Sequence, residues 1–323
     1  MKIIISRTDN LGDVVLTLPL AGFLKEANPQ NVVYFIGKAY THALIECSKA
    51  IDFFLDREEL LKNPQQLADI QADAILFVFP DKEIAQLAYQ AQIPIRIGTS
   101  HRWWHWIYAN KRISFSRCKS DLHEAQLNFN LLKPLGFKKI PTLPEIANWY
   151  KLAPPILPTE KQALIENKTK KVILHPKSKG SAREWGTMKF YELASQLPDI
   201  HFFITGIAQE GELIKAETPQ LFALPHVTDV TGKLNMQELI ALIAQVDALV
   251  AASTGPLHVA SALGIKAIGI YPPMKPIHPT RWQPIGRQAQ VLVLPKDCND
   301  CKKIMPCHCM EAITVAQVRA LLE

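Results

Sequence analysis

Short apolar runs alternate with amphipathic stretches along the whole chain. Ile3 to Ser6, Val32 to Ile36 and Ala74 to Phe79 read as strands in the first half. Val172 to His175, Phe202 to Thr205, Ala248 to Ala251 and Ala267 to Ile270 repeat the theme in the second. Strands alternating with helices imply parallel sheets joined by right-handed crossovers, an α/β class. The last segment, Thr314 to Glu323, carries apolar residues at helical spacing and reads as a closing helix.

The alternation is interrupted at Pro154 to Pro158, followed by the polar, helix-like Thr159 to Asn167, which makes this stretch the best linker in the chain. The boundary is placed there, giving domains 1–153 and 154–323. A chain of 323 residues with 48% hydrophobic content supports a core in each half. No repeat of solenoid type and no low-complexity tract is visible.

No run approaches the ~18 apolar residues of a membrane span. Met1 to Ile5 is too short for a signal peptide because Arg7 and Asp9 interrupt it, so a cytoplasmic protein is expected. Six cysteines are too few for a disulfide scaffold at this length, and Cys47 and Cys118 stand alone, so reduced thiols are expected. The net charge of +6 favours an anionic partner without identifying it.

The distribution of residues narrows the chemistry. Residues 252–264 read as a helix start with Ser253 as N-cap, Pro256 where a missing N–H costs nothing, and Gly264 as a left-handed stop. The run ending at Ala251 looks like a buried parallel strand, and a strand running into a helix N-terminus is where open α/β sheets bind ligands. An anion is the natural guest of such a terminus. The plain structural reading is one more capped helix on a sheet.

Four further segments carry candidate chemistry. Arg7 to Pro19 follows the first strand and opens a helix through Gly12 and Asp13; it matches neither a dinucleotide fingerprint nor a P-loop. Asp13 should face an interdomain cleft, where it either complements the helix dipole or accepts a proton from an incoming hydroxyl. The dipole that would fix it would also limit its basicity. His175 to Gly186 brings Lys177, Lys179 and Arg183 within seven positions, enough to neutralise a diphosphate while Ser178 donates a hydrogen bond, or else a solvated basic loop. Thr205 to Glu210 is a strand end with a glycine turn and a carboxylate suited to ribose hydroxyls or to a helix N-terminus. Arg96 to Lys119 interleaves Arg96, Arg102, Lys111, Arg112, Arg117 and Lys119 with Trp103, Trp104, Trp106 and Tyr108 and has no acidic residue. It suits an anionic membrane surface, a phosphorylated glycolipid, single-stranded nucleic acid, or a half-buried aromatic helix with a solvated basic face. Cys298, Cys301, Cys307 and Cys309 fall within twelve positions. Their spacing is not that of a standard zinc finger; reduced thiols packing a C-terminal turn are expected, with a small zinc site as the alternative.

Over nearly the whole chain these segments resemble the bacterial heptosyltransferases of glycosyltransferase family 9. The resemblance rests on the opening R-x-D-x-x-G-D-V-V-L-T-L-P, the basic loop ending at Trp185, the S-T-G-P-L-H-V-A-S-A-L-G turn and the late Thr280, Arg281, Trp282 and Pro284. It implies a GT-B fold, two Rossmann-like domains with parallel sheets facing a central cleft. The first would bind a lipid-anchored inner-core glycan acceptor and the second an ADP-heptose donor. It implies an inverting transfer without metal or cofactor, peripheral to the cytoplasmic face of the inner membrane, with no nucleic acid partner.

By the same resemblance Asp13 is the general base, following Gly12 at the donor turn, and Arg183 contacts the donor's phosphate and ribose, beside Lys177 and Ser178. Glu210 holds the ribose and Leu234 touches adenine. Thr254, Gly255 and Pro256 form the pyrophosphate turn next to Ser253, with His258 one helical step behind. Arg96, Arg102, Lys111 and Arg112 fall to the acceptor or the membrane. At Ser253 the family often has an aspartate that touches the transferred sugar. The alternatives are a GT-B transferase or epimerase using another nucleotide-sugar, and a non-catalytic binder of anionic glycolipid.

Overall fold

The apolar runs become the inner strands of two six-stranded, all-parallel sheets. The computed structural model describes residues 1–117, 120–166, 170–296, 298, 301 and 307–323. Cys118 and Lys119, at the end of the basic aromatic stretch, and Asn167, at the end of the polar segment, lie outside the described residues. The chain divides into two compact units, Met1–Ala153 and Pro154–Glu323.

In the first unit the strands are β1 (Lys2–Ser6), β2 (Val32–Gly37), β3 (Phe53–Asp56), β4 (Ala74–Phe77), β5 (Ile95–Thr99) and β6 (Lys111–Ile113). Their order across the sheet is β3-β2-β1-β4-β5-β6. The second unit holds β7 (Lys170–His175), β8 (Ile200–Ile204), β9 (Val227–Asp229), β10 (Ala248–Ala252), β11 (Lys266–Ile270) and β12 (Ala289–Leu292), in the order β12-β11-β10-β7-β8-β9. Read from its first strand outward, each sheet has the same doubly wound Rossmann order. The order reverses between β1 and β4 in one unit and between β7 and β10 in the other, and ligands of such sheets bind beyond the strand ends at those points.

The strands visible as apolar runs are β1, β2, β4, β7, β8, β10 and β11. Those the pattern missed are the four sheet edges, β3, β6, β9 and β12, together with β5. Edge strands are half-solvated, so they carry polar and charged residues and lose the continuous apolar signature. The basic aromatic stretch is accordingly split: β5 contains Arg96, the helix Trp103–Tyr108 contains the tryptophans, and β6 contains Lys111 and Arg112. Several boundaries move: β7 begins at Lys170 and β8 runs from Ile200 to Ile204. β4 stops at Phe77 because the N–H groups of Val78 and Phe79 both donate to the Ser6 carbonyl, at 3.0 and 3.2 Å. After the proline-rich segment only Thr159–Gln162 is helical.

In the first unit the helix Leu18–Ala27 lies against the segment ending at Tyr150, and Gly22 is the point of closest approach. A Cβ there would meet the Trp149 carbonyl oxygen at 1.9 Å. The second unit closes with the helix Val315–Leu322, whose buried face joins a core that includes Phe190, Phe202 and Ile268. The Trp185 indole N–H donates to the Ile313 carbonyl at 2.9 Å and fixes that end.

Gly22→Ala is therefore expected to cost about 1–3 kcal/mol, the usual range for overpacking. Urea denaturation measures it; an unchanged midpoint would show that the helix can move away freely.

Candidate active site

The segment after β1 runs directly into the five-residue helix Leu11–Val15, with Asp13 in its first turn. Arg7 stands at the strand end, and its side chain is only 2% exposed. Its guanidinium reaches three carboxylates: Nε donates to Asp9 Oδ1 at 2.7 Å, Nη1 to Glu124 Oε1 at 3.4 Å, and Nη2 to Asp13 Oδ1. Glu124, in the helix Glu124–Phe129, also pairs with Arg117 Nη1 at 3.2 Å. The Thr17 hydroxyl ties down the Asp13 carbonyl at 2.8 Å, and Tyr40 donates to the Asp9 carbonyl at 2.7 Å. Among the described residues, two guanidiniums and three carboxylates meet in a site largely screened from water.

Asp13 feels that imbalance. Burial is the largest influence and raises its pKa, the charges of Asp9 and Glu124 push the same way, and Arg7 opposes them; the net result is a carboxyl pushed up to about 6. The expectation that a helix dipole would limit its basicity does not hold. A helix of five residues has a small dipole, and desolvation outweighs it. A carboxylate of this kind is ionised at neutral pH yet holds a proton better than ordinary aspartates, as a general base requires.

In the second unit the loops after β7, β8 and β10 form the corresponding set. After β7, the His175 ring shares a hydrogen bond with the Thr205 hydroxyl at 2.9 Å. Lys177 is committed to internal partners: its ammonium contacts both oxygens of Glu217 at 2.7 and 2.8 Å and Glu184 at 3.3 Å. Glu184 in turn accepts from the Ser178 backbone at 3.0 Å and from its hydroxyl at 3.1 Å. Lys179 and Gly180 turn the chain through left-handed conformations, at φ 48° and 77°. Arg183 Nε donates to the Cys301 carbonyl at 3.0 Å.

After β8, Glu210 closes a capping interaction by accepting from the Ile207 N–H at 2.9 Å. It therefore fills the helix N-terminal role that the sequence left open. Lys177, Lys179, Gly180, Glu184, Ile207, Gln209, Glu210 and Leu213 line a cavity of about 400 Å³. Leu234 is half-buried and is not part of that lining. Its turn lies beside the β8 loop, where the Gly232 N–H donates to the Gly206 carbonyl at 2.9 Å.

After β10 comes the helix Gly255–Ala262, and one assignment is corrected. Thr254, not Ser253, is the N-cap. Ser253 sits one residue too early, beside the Tyr271 hydroxyl, which itself donates to the Trp282 carbonyl at 2.6 Å. Thr254 Oγ1 is buried and, among the described residues, has no hydrogen-bond partner. An orphaned hydroxyl at a helix N-terminus is a polar group waiting for a ligand atom. Pro256 lies in the first turn, His258 is buried, and Gly264 adopts the left-handed stop at φ 81°.

The basic residues between 96 and 112 are partly structural. Arg96 Nε donates to the Tyr108 carbonyl and Arg112 Nη1 to the Ala109 carbonyl, both at 2.7 Å, while the Arg112 guanidinium lies 4.5 Å from the Trp106 ring centroid. Arg102 lies over Trp104. Trp103 and Trp106 remain 61% and 62% exposed. Sequence reasoning gave no role to Arg7, Glu124, Glu184 or Glu217. Each acts through a partner distant in the chain or buried in the fold, which no local pattern displays.

Two doubly wound sheets, each with charged loops at its switch point, define a two-domain α/β protein of GT-B architecture. The sequence profile of glycosyltransferase family 9 (heptosyltransferase) matches residues 61–309, and the chain belongs to that family. It is a glycosyltransferase of the heptosyltransferase type. A Haemophilus influenzae protein described only as a glycosyltransferase is 28% identical over 308 residues, 88% of this chain and 86% of that one. The lipopolysaccharide core heptosyltransferase OpsX of the same organism is 24% identical, over 83% of this chain and 78% of its own. The solved structure of E. coli ADP-heptose lps heptosyltransferase II shares the fold with a TM-score of 0.76 at 19% identity, covering 100% of this chain and 97% of that one.

The Asp13 environment has a stability consequence. A carboxyl raised above its unfolded value of 3.8 stabilises the fold below that pH, and the contribution is lost as pH rises through about 6. Ionised Asp13 thus costs up to about 3 kcal/mol at neutral pH. Asp13→Asn is expected to be more stable than the wild type at pH 8 by about 1–3 kcal/mol, with the gap closing near pH 4. Urea titrations at the two pH values measure this, and a variant less stable than wild type at pH 8 would contradict it.

Proposed function

We propose that this glycosyltransferase moves heptose from ADP-heptose to an inner-core acceptor of lipopolysaccharide, working at the cytoplasmic face of the membrane with inversion at the anomeric carbon. The observation that carries the reading is the buried, basic Asp13 after β1, held by Arg7. Asp13 takes the proton of the acceptor hydroxyl as that oxygen attacks the anomeric carbon. The bond from that carbon to the diphosphate breaks, and the electron pair leaves on ADP.

The leaving charge needs fixed positive groups that do not reorganise during the step. The N–H groups at the start of Gly255–Ala262, the Thr254 hydroxyl, Lys179 and Arg183 fill that role. With Lys177 held by Glu217 and Glu184, it shapes the loop more than it neutralises phosphate. The cavity beside Glu210 takes the ribose and base, with Leu234 at the neighbouring turn. Exposed Trp103 and Trp106 beside Arg102 suit a membrane interface, where indoles settle at headgroup depth. A second reading keeps the mechanism and changes the donor: with neutral Ser253 at the turn, the sugar pocket lacks a carboxylate at that position.

Transfer assays with ADP-heptose and with UDP- and GDP-sugars, using inner-core acceptors, separate these readings. Transfer from ADP-heptose alone is expected; turnover confined to another donor would favour the second. Asp13→Ala should lose about 10²–10⁴-fold in kcat while binding ADP as the wild type does. Wild-type kcat/KM should fall about tenfold per pH unit below about 6. Turnover of the Ala variant within a few-fold of wild type would remove Asp13 from the mechanism.

A further inference from the structure

The C-terminal end of the second unit gathers four cysteines that the transfer reaction does not use. Cys298 and Cys301 follow β12, while Cys307 and Cys309 flank the start of the short helix His308–Glu311. The sulfurs of Cys298, Cys301 and Cys309 all lie within 4.8 Å of one another. Cys307 Sγ lies 3.2 Å from Cys301 Sγ but outside that mutual 4.8 Å set. Cys301, Cys307 and Cys309 are buried in the same core as Met310, Ile313 and Val318, and Cys298 is half-buried beside it.

Packing alone does not account for this convergence. A cysteine packed as a small hydrophobe is satisfied by any apolar neighbour, and the S–H group is a weak donor, so packing gives no reason for three sulfurs from two chain segments to meet, with a fourth against Cys301. A tetrahedral ion with metal–sulfur bonds of about 2.3 Å would set its sulfurs about 3.8 Å apart, within the spread of Cys298, Cys301 and Cys309; Cys307 would close on the ion as the fourth ligand from its place beside Cys301. A disulfide would draw one pair to about 2.0 Å and leave the other two sulfurs without a purpose. The backbone holds the group from several sides. The Cys298 N–H donates to the Pro273 carbonyl at 3.1 Å, and the Cys307 carbonyl accepts from Met310 at 2.8 Å and from Glu311 at 3.1 Å.

We propose that Cys298, Cys301, Cys307 and Cys309 hold one tetrahedral, thiolate-bound metal ion, zinc or iron, that ties residues 298 and 301 to the helix His308–Glu311. Each thiol releases its proton to solvent as the ion binds. Four thiolates around a divalent ion carry a net charge of about −2, which calls for nearby cations. Lys296 is close enough to act on Cys309, and Arg183 is anchored on the Cys301 carbonyl. Through that carbonyl the ion is a positioning element for Arg183. The site itself stands on the sulfurs, whether or not Arg183 touches a donor.

The full-length chain, purified without a metal-affinity tag, decides the question by elemental analysis and native mass spectrometry. One zinc or one iron per chain is expected, and the elemental analysis says which. Cys301→Ser and Cys309→Ser should lose the ion, whereas Cys47→Ser should keep it. Should the two site variants fail to fold, cobalt exchange into the wild type replaces them; the charge-transfer and ligand-field bands of a tetrahedral cobalt tetrathiolate are expected. Protein from zinc- and iron-supplemented medium that carries no ion would overturn the proposal. So would non-reducing peptide mapping that finds a Cys301–Cys307 disulfide.

Discussion

Arg7 is taken out of water at the end of β1 and must be paid for by charge. Three carboxylates surround it, and one of them, Glu124, arrives from a helix more than a hundred residues away. Removing the guanidinium would leave buried anions uncompensated, a far more costly state than the pair itself. Among the described residues, Asp9, Asp13 and Glu124 gather around Arg7 and Arg117. Burial, with the charges of Asp9 and Glu124 added to it, is what makes Asp13 basic. A tighter ion pair would give a more stable and less reactive aspartate. Stability is given up at the residue where proton transfer is proposed, as active sites commonly do.

The second unit uses the same strand order for a different electrostatic task. Its loops look strongly basic in sequence, but Glu217 and Glu184 internalise the charge of Lys177, and the Cys301 carbonyl holds Arg183. The backbone N–H groups that open Gly255–Ala262 and the Thr254 hydroxyl, which has no partner among the described residues, give this end fixed polarity. In the proposed transfer this helix terminus, with Lys179 and Arg183, would meet the leaving diphosphate, while Lys177 shapes the loop.

Much of this architecture can be read from the chain alone, for a physical reason. Strands buried on both faces must be apolar throughout, so β1, β2, β4, β7, β8, β10 and β11 announce themselves. The edges carry lysines, threonines and glutamines because one side meets water, and they do not. The turns after β1 and β10 are legible because glycine, proline and a short acid mark a helix start. The cap moved from Ser253 to Thr254 because two adjacent hydroxyl residues both satisfy the pattern, and only the strand's exit decides between them. Arg7, Glu124, Glu184 and Glu217 stayed hidden because their meaning comes from partners that the fold brings together. Asp13 was visible as a candidate, but its proton affinity was not, since burial and the surrounding charges set it.

The protonation of Asp13 can be read directly. Infrared titration of the wild-type protein, with the Asp13→Asn spectrum subtracted at each pH, isolates the carboxylate band of this one residue. A midpoint of about 6 is expected. A midpoint at or below about 4, the ordinary aspartate range, would contradict a base tuned by burial within the Arg7 cluster.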